Sequence, residues 1–209
     1  MLLEAIRTAA GALGLTLPEE ALTRLNRYVA QVFKWQRLAN LTGAPDESAF
    51  IAEHIADCLA ILPWIGEASL ADIGSGAGLP GLVIACARPE LEIALLEPRA
   101  KRARFLQQCV IGLELARVQV INLKVEEWQP AVLPEVLICR ALSSLESFVN
   151  STRHLHTPLT RLLAMKGHPP ADELAAPWAA AFQVTVHPLQ VPGRDTRCLV
   201  ELRPCSDPA

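Results

Sequence analysis

The chain has 209 residues, of which 51% are hydrophobic and 20% charged, with a formal net charge of −3. This excludes a disordered polypeptide, allows one sizeable core, and carries no overall basic signal, so any contact with nucleic acid has to come from local patches. Six cysteines, Cys58, Cys86, Cys109, Cys139, Cys198 and Cys205, stand apart, with none within four residues of another, which argues against a zinc site of the usual spacing. No metal is expected.

The N-terminal stretch MLLEAIR carries Glu4 and Arg7 where a signal peptide needs an apolar core. The longest apolar stretches read as far short of a membrane span, so a cytoplasmic protein with reduced thiols is expected. Residues 1–66 read as an N-terminal helical extension and 67–209 as an α/β domain. A helix over 20–39 puts Leu22, Leu25, Tyr28, Val29, Val32, Phe33 and Trp35 on one side and Arg24, Arg27, Lys34 and Arg37 on the other. The basic side is either a solvated face or a ridge that meets phosphates. ANLTGAPD breaks this helix, and a second is expected from about Ser48 to Leu62.

From Ser69 the rhythm changes. Strands are predicted at 69–73, 92–97, 118–121, 135–139 and 162–166, with helical stretches between them, most clearly 99–115. That alternation implies a doubly wound, mostly parallel sheet covered on both faces. Two late strands, 183–189 and 197–203, flank the turn QVPGRDT and predict an antiparallel C-terminal strand. ADELAAPWAAAF between them and the fifth strand reads as one helix broken by Pro177.

LADIGSGAGLPG (70–81) joins the first strand to a helix through Gly74, Gly76, Gly78 and Gly81. In an open α/β sheet, a ligand binds where such a loop lies. Two cofactors fit. GAGLPG matches the dinucleotide pattern GxGxxG, with Glu97 about twenty residues on to take a ribose. S-adenosylmethionine fits the same glycines and the same Glu97. Asp72, two residues before the first glycine, favours it, because a strand-end acid suits a cationic ligand and repels a pyrophosphate. A tight turn with no ligand is the third reading.

Further stretches extend the pattern: KWQRLANLT (34–42), EHIADC (53–58), LLEPRAKRARFL (95–106), KVEEW (124–128), CRAL (139–142) and AMKG (164–167). With the glycine loop, in this order and spacing, the chain resembles the RsmG (GidB) family over about residues 20–203. The resemblance implies a Rossmann-like class I methyltransferase that uses S-adenosyl-L-methionine to methylate N7 of a guanine in the 530 loop of bacterial 16S rRNA. It implies that Asp72, Gly74, Gly76, Gly78 and Leu79 meet the methionine part of the cofactor, that Glu97 meets the ribose, and that Val125 and Glu126 meet the adenine. It sets Arg140 at both cofactor and active site, where it would orient the guanine or a phosphate. Lys34, Arg37, Lys101, Arg102, Arg104 and Lys166 are the candidate RNA contacts, the partner being 16S rRNA or the 30S subunit, and the family precedent suggests a monomer. The family usually has arginine at the positions of Glu53 and Lys124 and serine at Cys139. His54 and Asp57, three apart, are expected to share a helix face and to shape the site rather than move a proton.

Overall fold

The computed structural model describes residues 1–141 and 144–205; Leu142, which ends the CRAL stretch, lies outside them. Five short apolar runs form parallel strands: β1 Leu70–Ile73, β2 Ile93–Leu96, β3 Val118–Ile121, β4 Val136–Arg140 and β5 Arg161–Lys166. β6 Phe182–Pro188 and β7 Cys198–Pro204 form a hairpin, and β7 lies antiparallel against β5. The order across the sheet is β3-β2-β1-β4-β5-β7-β6. The chain winds one way from β1 to β3 and the other way from β4 onward. The carboxyl ends of β1 and β4 therefore flank the switch point, where open α/β sheets bind ligands.

The helices are α1 Leu2–Ala12, α2 Glu19–Ala39, α3 Glu47–Phe50, α4 Ala56–Leu59, α5 Leu62–Ile65, α6 Gly81–Ala87, α7 Ala100–Gly112, α8 Leu145–Thr152 and α9 Ala171–Leu174. The period-two alternation of the strands divides the core into two layers. Leu70, Ile93, Leu95, Val136 and Ile138 face a layer built with α1, α2, α4, α6 and α7. Ala71, Ile73, Leu96, Leu137 and Cys139 face a layer built with α8 and the C-terminal hairpin. The N-terminal helices thus pack into the same core layer as the glycine-loop helix. On α2 the expected apolar side is buried, except that Phe33 and Trp35 are only partly covered.

Two expectations need correction. The helix expected over 48–62 is interrupted: between α3 and α4 the residues Ile51–Ile55 form a π turn, and a further break precedes α5. Glu47–Ile65 as a whole, 19 residues with mean hydropathy 1.4, is also long and apolar enough by length and composition to cross a membrane, so the apolar stretches do not all fall short. In the fold this stretch supplies Phe50, Ile51, Ile55, Leu59 and Ile65 to the core. The 171–182 segment divides at its proline as expected, into α9 and a 3-10 turn over Pro177–Ala181.

Candidate active site

The glycine loop leaves the carboxyl end of β1. Gly74, Gly76 and Gly78 have φ of +75°, +59° and +92°, a region that side chains with a Cβ rarely adopt. The Gly74 and Ser75 amides both donate to Leu96 O at 2.9 Å, fastening the loop to the end of β2. A Cβ at Gly74 would meet nothing within 4 Å, so that face of the loop is open. A Cβ at Gly78 would come within 2.4 Å of Leu82, so that glycine answers to packing. Leu79 is half-buried against the core.

Asp72 is fully buried at the foot of the loop. Its Oδ2 accepts from the Gly81 amide at 3.0 Å, at the start of α6. Its Oδ1 is buried with no hydrogen-bond partner among the described residues. Burial pushes its carboxyl up to about 7, against the lowering effect of the Gly81 bond. Glu97, just past β2, is also buried rather than solvent-facing. Its two oxygens accept from the amides of Gly76 (2.9 Å) and Arg99 (2.8 Å). Val125 is buried and Glu126 exposed, in a 3-10 turn after β3. Carboxylates, glycine amides and the turn after β3 thus converge along one edge of the sheet. An open main-chain cradle, a buried acid with an unsatisfied oxygen and a second acid at the next strand end suit a ligand bearing cationic groups and a ribose.

Arg140 ends β4 on the same edge. Its Nη2 lies 2.7 Å from His54 Nδ1, and its Nη1 donates to Cys58 Sγ at 3.5 Å. A guanidinium has no acceptor, so His54 Nδ1 must accept and the ring carries its proton on Nε2. Burial first, then the Arg140 charge, hold the His54 pKa below its usual value. Burial pushes the Cys58 thiol up to about 12, so it stays protonated. His54 and Asp57 do not work as a pair. His54 engages Arg140, and Asp57 instead accepts from Arg197 Nε at 3.1 Å. Glu53 lies 3.7 Å from Arg194, so the acid standing where the family pattern has arginine is matched by a cation from the hairpin.

Contacts that sequence reasoning missed hold this edge together. Tyr28 Oη, buried on α2, donates to Ala77 O at 2.7 Å and ties the N-terminal helix to the glycine loop. A tyrosine on an apolar helix face needs a partner for its hydroxyl, which is the signal that was there to be used. Gln36 Oε1 accepts from the amides of Leu41 (2.8 Å) and Thr42 (2.9 Å), so KWQRLANLT is a local closure at the end of α2.

α2 and α7 pack antiparallel. Arg27 donates to Gly112 O, the Trp35 and Phe105 rings are 6.0 Å apart, and Arg102 donates to Asn40 O at 3.3 Å. That register brings the C-terminal end of α2, with exposed Lys34 and Arg37, beside the N-terminal end of α7, with exposed Lys101 and Arg104. Arg102 Nη1 lies 3.9 Å from where a Gly76 Cβ would stand, so this basic pair of helix ends borders the glycine loop. Lys166, at the end of β5, is different. It donates to Glu173 at 2.8 Å and is only 18% exposed, which leaves it a neutralised structural cation.

The architecture defines the class. The solved structure of the glycopeptide N-methyltransferase MtfA complexed with S-adenosyl-L-methionine superposes with a TM-score of 0.61 at 12% identity, covering 75% of this chain and 96% of that one. A SAM-dependent methyltransferase from Aquifex aeolicus superposes at 0.56 and 15% identity, covering 83% of this chain and 98% of that one. The fold is that of the S-adenosylmethionine-dependent methyltransferases.

A family model described as rRNA small subunit methyltransferase G (GidB) matches residues 21–199. Curated relatives named ribosomal RNA small subunit methyltransferase G include those of Aromatoleum aromaticum, 43% identical over 87% of this chain and 88% of its own length, and of Nitrosospira multiformis, 41% identical over 91% and 92%. The chain belongs to the rRNA small subunit methyltransferase G family. It is an S-adenosylmethionine-dependent methyltransferase, and the nicotinamide reading of the glycine loop falls away.

Proposed function

We propose that this enzyme methylates N7 of a guanine in the 530 loop of 16S rRNA, with Arg140 orienting the base. The observation that carries this reading is the Arg140–His54 pair at the rim. Guanine N7 has an in-plane lone pair and no proton, so attack on a methyl group needs no general base. His54 is held neutral with its Nδ1 engaged, which suits a site that positions and excludes water rather than one that removes a proton. A planar guanidinium is also the side chain that pairs bidentately with the guanine edge or with phosphate.

S-adenosylmethionine supplies the electrophilic methyl group when bound. Gly74, Gly76, Gly78 and Leu79 would hold its methionine part, with Asp72 fixing the loop beneath them. Glu97 would take the ribose hydroxyls on the lone pairs that its two amide bonds leave free. Val125 and Glu126 would border the adenine. Lys34, Arg37, Lys101, Arg102 and Arg104 would meet the RNA backbone, and Lys166 drops from that set because Glu173 already neutralises it. On this reading the enzyme works as a monomer in the cytoplasm.

The test uses methyl-labelled cofactor with small subunits from cells lacking this protein, and subunits from normal cells as control. Label only in the deficient subunits, recovered as 7-methylguanine from the 530 loop, is the expected result. Label on another atom or another stretch of RNA would overturn the assignment.

A further inference from the structure

We infer that His54 is a positioning residue: through Nδ1 it aims the Arg140 guanidinium at the target base, and its tautomer is fixed for that purpose. The inference rests on Arg140 facing the target, as proposed above. His54 sits in the π turn Ile51–Ile55, an element frequent at functional sites. On one side the Phe50 ring packs edge-on against the imidazole, centroids 5.1 Å apart. On the other, Nδ1 meets Arg140 Nη2 at 2.7 Å, and Cys58 one helical turn further on meets Nη1. One guanidinium terminus is thus held by an acceptor and the other by a sulfur. The side chain at the end of β4 is held from the N-terminal segment, 86 residues earlier in the chain.

The charged groups around the imidazole are few. Arg140 faces it from β4. Glu53 flanks it in its own turn and is matched by Arg194 of the β6–β7 connection. Asp57 of α4 lies nearby and is held by Arg197. Among the described residues neither carboxylate hydrogen-bonds the ring, while the Glu53 main chain does and works against the lowering by burial and Arg140. Protonating Nδ1 removes the acceptor and sets two cations against each other, so Arg140 loses its aim at acid pH.

The experiment uses the full-length protein. Nitrogen NMR of the imidazole should show the Nε2–H form with Nδ1 unprotonated, and Arg140→Leu should relax this to a tautomer mixture. His54→Leu should lower kcat on deficient subunits by roughly ten- to a hundred-fold, with a smaller effect on KM. His54→Asn sets an oxygen near the former Nδ1 and should restore most of kcat. Asparagine does not titrate, so the acid limb of the wild-type pH profile should also flatten in this variant. A wild-type ring protonated on Nδ1 overturns the inference, as does a folded His54→Leu enzyme with wild-type kcat and pH profile. A fixed Nε2–H tautomer that relaxes in Arg140→Leu, with no label reaching 16S rRNA from the wild type, would sink the assigned substrate and leave the pair standing.

Discussion

Asp72 combines full burial, one satisfied oxygen and one unsatisfied oxygen, and this makes the stability of the ligand-free protein depend on pH. Burial raises its pKa from 3.8 to about 7. An acid with a raised folded pKa holds its proton more tightly when folded. The stability this gives is fully present below the unfolded value and is lost as pH rises through the folded one. The thermal midpoint of the wild type should therefore fall, relative to that of Asp72→Asn, between about pH 4 and about pH 7. Parallel curves for the two proteins would show that Asp72 does not titrate in this range. The neighbouring glycines separate two kinds of failure. Gly74→Val strains a positive φ and fills open space, so calorimetry should find no binding of S-adenosylhomocysteine by a protein that still folds. Gly81→Ala drives a Cβ to 2.4 Å from Leu95 and 2.7 Å from Asp72 Oδ2, so its first effect should be a loss of about 1–3 kcal/mol of stability, read by denaturant unfolding.

α2 is tied to the glycine loop through Tyr28, as the sheet is through Leu96. Tyr28→Phe keeps the ring and leaves the Ala77 carbonyl without its donor, at a cost of about 1–3 kcal/mol. Both the thermal midpoint and the affinity for S-adenosylhomocysteine should fall, and loss of only one of them would separate α2's packing from its hold on the loop. The C-terminal hairpin carries the opposite pH signature to Asp72. On β7, burial would raise the Glu201 pKa, but the hydrogen bonds from Arg161 and His187 outweigh it and bring the value down to about 2. That contribution is present above the unfolded carboxylate value and is lost as pH falls toward about 2, so Glu201→Gln should be less stable than wild type at neutral pH and lose less on acidification. The strands were legible within a residue or so, because buried parallel strands are short apolar runs closed by glycine or polar turns. The π turn was not. IAEHI has ordinary helical composition, with no glycine or proline to mark the extra residue, and both Phe50 and Ile55 at its ends are buried.

At the scale of the whole molecule, a chain of net charge −3 has to meet RNA through one region. On the proposed function, the ends of α2 and α7 bordering the glycine loop would supply it. Replacing Lys34 and Arg37, or Lys101 and Arg104, with alanine should flatten the dependence of log affinity on log salt by roughly one unit per phosphate contact removed. Lys166→Ala should leave that slope unchanged and weaken folding instead. The glycine loop, its acids and Arg140 were readable because each ends a strand. The partners of Arg140, Asp57 and Glu53 were not, because they join parts of the chain 86 to 141 residues apart, which no periodicity encodes. The longest of these links have a consequence for biosynthesis. Asp57 emerges from the ribosome early and acquires Arg197 only after 140 further residues have been made. A nascent chain halted before the hairpin carries the entire glycine loop and Arg140, yet leaves the Asp57 carboxylate without its counter-charge. Premature stop codons ahead of Arg197 should therefore be as damaging as those that remove the glycine loop.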